Sequence, residues 1–582
     1  MLPARRSADV KVAVLALGVA LAAGSPSLAQ DSWSRPRPGE STRPAPAREQ
    51  GVSPSRPSPP AWGAPRPSTV ERSELAPIMA PDASGLPLEL WRGLDLKSLE
   101  ELLTGLELPP RSPAVHQMWR RLLLASATPP DGAPNAEHFV ALRLEALYRS
   151  GLIGDMETVL NAHGAGGPIV DLLRARRQIG IGRREDGCRT IKALSVPGSA
   201  LPGRLKGEAQ LLAGYCAAVA GDAHAAGLAA ELAREEGVEA DLPLAVLAGV
   251  ADGTKPKLAL PQRVLLLDYR FLELLGPVDA LQVFDKAEPA LLTVLAGDTG
   301  ADARVQIAAA EASLRLNALS PETVAEVYRR QSLPQVDHAD PTARGADPLL
   351  RRALYFKAIE VARAPDQRAR FLRAILDDAR RSGFLAQMAR VVSPQAESLR
   401  PSPSVAAFAE TGIEVALSAD RFDQARRWAE VAGLHHWLAL IDVADPARRG
   451  GRPPSLRVME DLAVRGQLSP ATLHRLATVL DALDIDVPIG LWDAASRTPQ
   501  PATGYLPETG VLAALAQAAA SREVGRTMLL VMRSLGPGGP EGANVLALGD
   551  AVRALKRAGL EADARRLGVE ALLAVWPRRP AN

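Results

Sequence analysis

The chain reads as all-α, an irregular solenoid of helix hairpins, and three observations predict it. Ala, Leu, Arg and Glu dominate from Leu86 onward, while aromatic residues make up 4% of the 582-residue chain. No alternating run of β-branched residues stands out as a strand. Apolar residues instead recur three and four apart, as at Leu473, Leu476, Leu480 and Leu483, which places them on one helical face. The length exceeds what one compact core holds, so the helices belong either to several domains or to a stacked array.

The first element is an export signal. Arg5, Arg6 and Lys11 form its positive end, and Val12 to Ala23 is an unbroken run of Ala, Val, Leu and Gly. Ser27-Leu28-Ala29 offers small residues for cleavage after Ala29, giving a signal peptide over 1–29. The apolar run falls short of the roughly 20 residues of a spanning helix, so no stable span is expected after cleavage. An uncleaved anchor is the alternative. Arg5-Arg6 resembles a twin-arginine signal, but Ser7, Ala8 and Asp9 do not continue it, so the general secretory route is expected. The expected location is the periplasm, with secretion as the alternative.

A disordered Pro/Arg-rich arm over 30–87 follows. Ten prolines lie between Asp31 and Val70, in runs such as Pro57-Ser58-Pro59-Pro60. Proline fixes φ and removes a donor, and little apolar surface is available to bury, so an extended, partly polyproline II arm is expected. It is a spacer, or a tether that touches an anionic surface such as cell-wall polymer. The overall charge of +2 is carried by the signal (+2) and by residues 30–70 of the arm (+3), which leaves the rest at −3. Such a body has no electrostatic footprint for nucleic acid.

The body divides into a helical array over 88–332, a linker over 333–348 and a second array over 349–582. Ser469-Pro470 and Ser320-Pro321 supply an N-cap followed by proline at the first helical position. Pro- and Gly-rich breaks at Leu333–Pro348, Asp445–Ser455, Thr498–Glu508 and Gly536–Gly542 are expected loops. A spacing recurs along both arrays: an apolar or small residue, Gly or Asp four later, Ala five after that, then Ala seven further on. Leu555, Gly559, Ala564 and Ala571 show it, as do Ala416, Asp420, Ala425 and Ala432. Ala217, Gly221 and Ala226 repeat it, and Leu147–Gly151 is a partial copy.

This spacing resembles the tetratricopeptide repeat. The resemblance implies that the Gly or Asp closes the first helix of each hairpin and that the small residues let two helices approach closely. The chain departs from the family in lacking an even period of 34 residues and most of the large aromatic positions. The family's peptide-carboxylate clamp has no matching Lys and Asn pattern here. A generic bundle of helical hairpins is the alternative.

Cys188 and Cys216 are the only cysteines, and an even number in an exported chain points to a structural disulfide, with two buried thiols as the alternative. They fall in the second helix of one hairpin and the first helix of the next.

Chemistry is not legible. The chain contains no His-Glu-x-x-His, no Gly-x-Ser-x-Gly and no Walker-type loop. His163-Gly-Ala-Gly-Gly167 reads as a turn after a helix, and Gly180-Ile-Gly182 lacks the third glycine of a dinucleotide site. His435-His436-Trp437 holds neighbouring imidazoles about 100° apart on a helix, a poor chelate. No catalytic residue, metal or cofactor is therefore expected. The long helical scaffold is similar to the superhelix of soluble lytic transglycosylases. Their catalytic Glu-Ser context is missing, because Glu397-Ser398 runs into Leu-Arg-Pro and Glu40-Ser41 lies in the arm. The expectation is a non-enzymatic periplasmic scaffold or adaptor that binds a protein or peptide partner in the cell envelope. The alternative is an accessory factor of cell-wall or polysaccharide metabolism, including a degenerate transglycosylase-like superhelix. An enzyme with an unfamiliar site is the third reading.

Overall fold

The computed structural model describes residues 78–578 apart from 81, 83, 134–135, 163–165, 195–200, 333–346 and 449–451. The signal segment, Ala29, most of the arm, most of the 333–348 linker and His163 lie outside the described residues. Among those described, 28 α-helices occur with no strand, only isolated bridges. None of these helices is long and apolar enough to cross a membrane.

The helices run as follows. The first four are α1 (Leu96–Thr104), α2 (Pro113–Leu124), α3 (Ala136–Arg149) and α4 (Ile153–Ala162). Six more are α5 (Pro168–Gly180), α6 (Arg184–Leu194), α7 (Gly203–Val219), α8 (Ala223–Glu235), α9 (Asp241–Ala251) and α10 (Leu266–Leu272). Then come α11 (Ala280–Phe284), α12 (Pro289–Gly297), α13 (Ala303–Arg315), α14 (Pro321–Arg330), α15 (Arg351–Val361), α16 (Pro365–Arg381) and α17 (Leu385–Glu397). The next group is α18 (Ala409–Ser418), α19 (Phe422–Val431), α20 (His435–Ala444), α21 (Leu456–Val464), α22 (Pro470–Ala482) and α23 (Ile489–Arg497). The last are α24 (Thr509–Ala520), α25 (Val524–Leu535), α26 (Gly539–Gly542), α27 (Val545–Arg557) and α28 (Glu561–Leu573).

Local chemistry sets many of the boundaries. The Ser320 and Ser469 hydroxyls accept the backbone N–H of Thr323 and Thr472, capping α14 and α22. Leu473, Leu476, Leu480 and Leu483 are all buried on one face of α22 and its end. Gly151, Gly221, Asp420 and Gly559 all take positive φ, between +56° and +87°, where α3, α7, α18 and α27 turn into their partners. Ala226, Ala425 and Ala564, five residues later, are fully buried against the first helix of each pair. Small side chains there let the two helices pack closely.

Two expectations shift. The last residues of the span expected as arm carry ordered contacts: Ala80 and Leu88 bond to the backbone of Leu86 and Ile78, and Leu86 is fully buried. Burial of Leu86 offsets the entropy cost of ordering this segment. Within Gly536–Gly542, expected as a loop, Pro540 sits at a helical start and the last four residues form the single turn α26.

Most consecutive helices pack on each other, but the order contains one excursion and one closure. The excursion is α5–α10, which has its own core around Leu212, Tyr215, Leu247 and Phe271. Helix α5 faces both ways: Val170 and Leu173 join the main core, while Leu172, Ala175 and Ile179 join the lobe's. After the lobe, α12 packs back beside α3, where Thr293 donates to the Gly151 carbonyl. The main core includes both Val324 and Tyr328 on α14 and Phe356 on α15. The closure joins the two ends: α1 and α2 pack on α25, and α2 also packs on α28. The Gly525 N–H donates to the Leu90 carbonyl, and Arg121 pairs with Asp563 at 2.7 Å.

Candidate functional site

The closure creates a groove, because the connector between α1 and α2 is laid across the C-terminal helices. That connector is fastened from below. Asn317, just past α13, donates to the Pro110 and Arg111 carbonyls, and Gln387 of α17 donates to the Arg111 carbonyl. Ser112 caps α2 through the Val115 N–H, and Pro113 opens the helix. Gly539 of α26 lies so close to Ser112 that a Cβ there would come within 2.7 Å of the serine Cβ.

The groove has two chambers that share Glu107, Arg111, Ser112 and Pro537. The larger, about 720 Å³, runs over α16–α18 to the end of α28, with Arg380, Glu414, Glu541, Glu570 and Arg578 on its walls. The smaller, about 340 Å³, lies between the connector and α25, beside Tyr505, Met532 and Arg533.

Glu570 stands at the base of the larger chamber. Its Oε2 accepts the Ala114 N–H at 2.9 Å, in the first turn of α2, and the Ser112 hydroxyl also bonds to it. Burial pushes its carboxyl up to about 7, opposed by those two hydrogen bonds and by Arg390; Glu541 adds to the rise. Burial also lowers the Arg390 guanidinium, whose Nε donates to the Ser418 carbonyl. One turn into α2, burial brings His116 down to about 4, so it is neutral at neutral pH.

The chamber's other charges are largely matched internally. Arg380 and Arg578 both bond to Glu414. Arg578 also donates to the Leu573 carbonyl, which folds the C-terminal segment back along the groove. Thr472 and His436 hold that segment at the Val575 and Pro577 carbonyls, and Trp437 packs on Trp576. Of the His435-His436-Trp437 cluster, His436 and Trp437 thus sit at an internal interface, while His435 is exposed. Among the described residues, no group of His, Cys, Asp and Glu could hold a metal ion.

Cys188 on α6 and Cys216 on α7 lie outside the groove. The structure joins them in a disulfide, with Cα atoms 5.5 Å apart, inside the lateral lobe. Ala29 lies outside the described residues. Sequence reasoning did not find Arg111, Ser112, Arg533 or Glu570, whose positions depend on the closure. One signal was available: Ser112-Pro113 repeats the helix-start pattern of Ser320-Pro321.

Comparison with protein-family models, with curated proteins and with solved structures finds no match for this chain.

Proposed function

We propose that the chain is a non-enzymatic scaffold or adaptor of the cell envelope that holds a protein or peptide partner in the groove across its closure. The finer reading includes export to the periplasm, tetratricopeptide-like hairpins as the building unit, and an arm that reaches toward cell-wall polymer. The observation that carries it is the groove: two connected chambers, walled by backbone, side-chain hydrogen-bonding groups and apolar patches. Concave sites of this size with a few placed polar groups suit binding. The test is capture of partners by the tagged mature chain in its own host after light cross-linking, beside an Ala574→Trp variant that fills the larger chamber. Envelope proteins recovered with the first and lost with the second support the reading; an empty wild-type chain sinks it.

The polysaccharide reading rests on the polar wall of the larger chamber, where Gln387, Ser418 and Glu541 could meet sugar hydroxyls. Retention on purified peptidoglycan, lost in Ala574→Trp, would favour it over a protein partner.

A further inference from the structure

We propose that the smaller chamber is a docking pocket for an acidic segment of a partner polypeptide. Arg111 and Arg533 would take a carboxylate side chain, and the chamber's apolar floor would take its neighbour. The inference rests on the peptide-binding reading above and adds the chemistry of the peptide.

Most guanidiniums around the groove already have partners. Arg380 and Arg578 are spent on Glu414. Arg390 donates to the Ser418 carbonyl, and Arg475 donates to the Ala571 and Glu541 carbonyls. Among the described residues, Arg111 and Arg533 alone of these six make no ion pair or hydrogen bond through their guanidiniums, and both line the smaller chamber. Glu107 is the one carboxylate there, and it pairs with neither. Arg315, at the end of α13 behind the connector, feels Arg111 as a further like charge. Among the described residues, the chamber therefore carries a surplus of positive charge without a counter-ion.

The backbone that carries the two exposed arginines is also held in place. The Arg111 carbonyl is held by Asn317 and Gln387. Arg533 projects from the last turn of α25 between the buried Met532 and Ser534. A fixed backbone lowers the ordering cost of binding. A guanidinium fork matches a carboxylate in geometry and charge. Leu106, Val115 and Met532 are each less than a tenth exposed and form an apolar floor beside the charges, with Tyr505 at the rim. The continuous larger chamber leaves room for the rest of an extended segment. This combination selects a segment in which Asp or Glu alternates with an apolar residue.

The experiment measures fluorescence anisotropy of the mature chain with a labelled peptide of alternating Leu and Glu, and with the same peptide carrying Gln for Glu. Arg111→Gln, Arg533→Gln and the double variant are compared with Arg427→Gln, a control arginine in another cleft. Circular dichroism melts establish that each variant is folded. The expected result is binding of the Glu peptide that weakens about ten- to hundredfold for the Gln peptide and for the double variant, as for lost charged hydrogen bonds. Arg427→Gln should bind as the wild type does. Equal binding of the two peptides, unchanged binding by the double variant, or no binding of the Glu peptide overturns the inference. A Gln peptide that binds as well as the Glu peptide, and is lost in Ala574→Trp, would remove the charge selectivity and leave the peptide-binding reading standing.

Discussion

The lateral lobe and the closure use opposite means to hold helices together. In the lobe, partners are neighbours in sequence: α7 packs on α8, α8 on α9, and Ala226, Ala230 and Ala233 let them approach closely. A disulfide spanning 28 residues adds a covalent tie between consecutive hairpins. In the closure, helices from the start of the described chain meet helices more than 400 residues later. Large side chains such as Leu90 and Trp91 fill the space against Gly525 of α25. The lobe is thus a stack assembled from local pieces, whereas the closure is a long-range contact whose cost in loop entropy must be met by extensive apolar burial. The difference teaches where function can arise: the groove exists only where distant segments are brought together.

The largest expected effect lies in α2, a helix that the closure shares with the main core. Trp119 is fully buried and its indole N–H donates to the Ser150 hydroxyl. Trp119→Ala should cost about 3–5 kcal/mol, read from denaturant unfolding. If the lobe is an independent stack, hydrogen exchange in α6–α9 will change little in that variant; equal loss of protection in lobe and closure would erase the distinction.

The paired Cys188→Ser, Cys216→Ser variant should lose roughly 3–4 kcal/mol by loop entropy, less any native strain. Its loss of exchange protection should stay within α5–α10. Spread to α2, α25 and α28 would mean that the lobe and the closure unfold as one.

Gly187 of α6 sits where an added Cβ would lie 2.5 Å from Ile179 of α5. Gly187→Ala should therefore cost about 1–3 kcal/mol, because neither helix has room to give. A thermal melt within a degree of wild type would show that the α5–α6 contact is looser than described.

Glu570 supplies a pH test of the closure. Its folded value, about 7, is raised above the ordinary 4.5, so the folded chain binds the proton more tightly than the unfolded one. The group's stabilising contribution is present in full below about 4.5 and is lost as pH rises toward and through 7. Glu570→Gln should flatten that slope, gaining on the order of 1–2 kcal/mol relative to wild type between pH 5 and 8, after discounting for partial exposure. Parallel stability curves for the two chains would show that the carboxyl is not held in its neutral form.

The smallest effect is expected at Arg92, whose guanidinium donates to the Ser521 and Arg522 carbonyls across the closure from an exposed position. Arg92→Ala should shift stability by no more than about 1 kcal/mol. A larger loss would mark the rim, rather than the buried aromatics, as the fastening.

Much of the helical plan was legible because the signals are local. Ser320-Pro321 and Ser469-Pro470 start helices, and Gly221, Asp420 and Gly559 turn one helix into the next, since cap and turn chemistry act over a few residues. The neighbouring positions of Cys188 and Cys216 followed from the same hairpin grammar. Leu86 was read with the arm because a lone leucine among Gly and Pro shows its value only once it is buried in the core. The site was not legible at all. Arg111, Arg533 and Glu570 are ordinary charged residues in helix or connector positions, and neither spacing nor composition announces that they face one groove.

By itself, the sequence determined the helical class, where many helices begin and turn, and which pairs stack, since each of these follows from steric and hydrogen-bonding preferences within about one hairpin. Only the tertiary structure decided that α5–α10 leave the main core as a lobe, that α1 and α2 return to α25 and α28, and that a groove opens between them. Those outcomes depend on the mutual fit of surfaces hundreds of residues apart, and hydrophobic burial, being non-directional, leaves no mark of its partner in the local sequence.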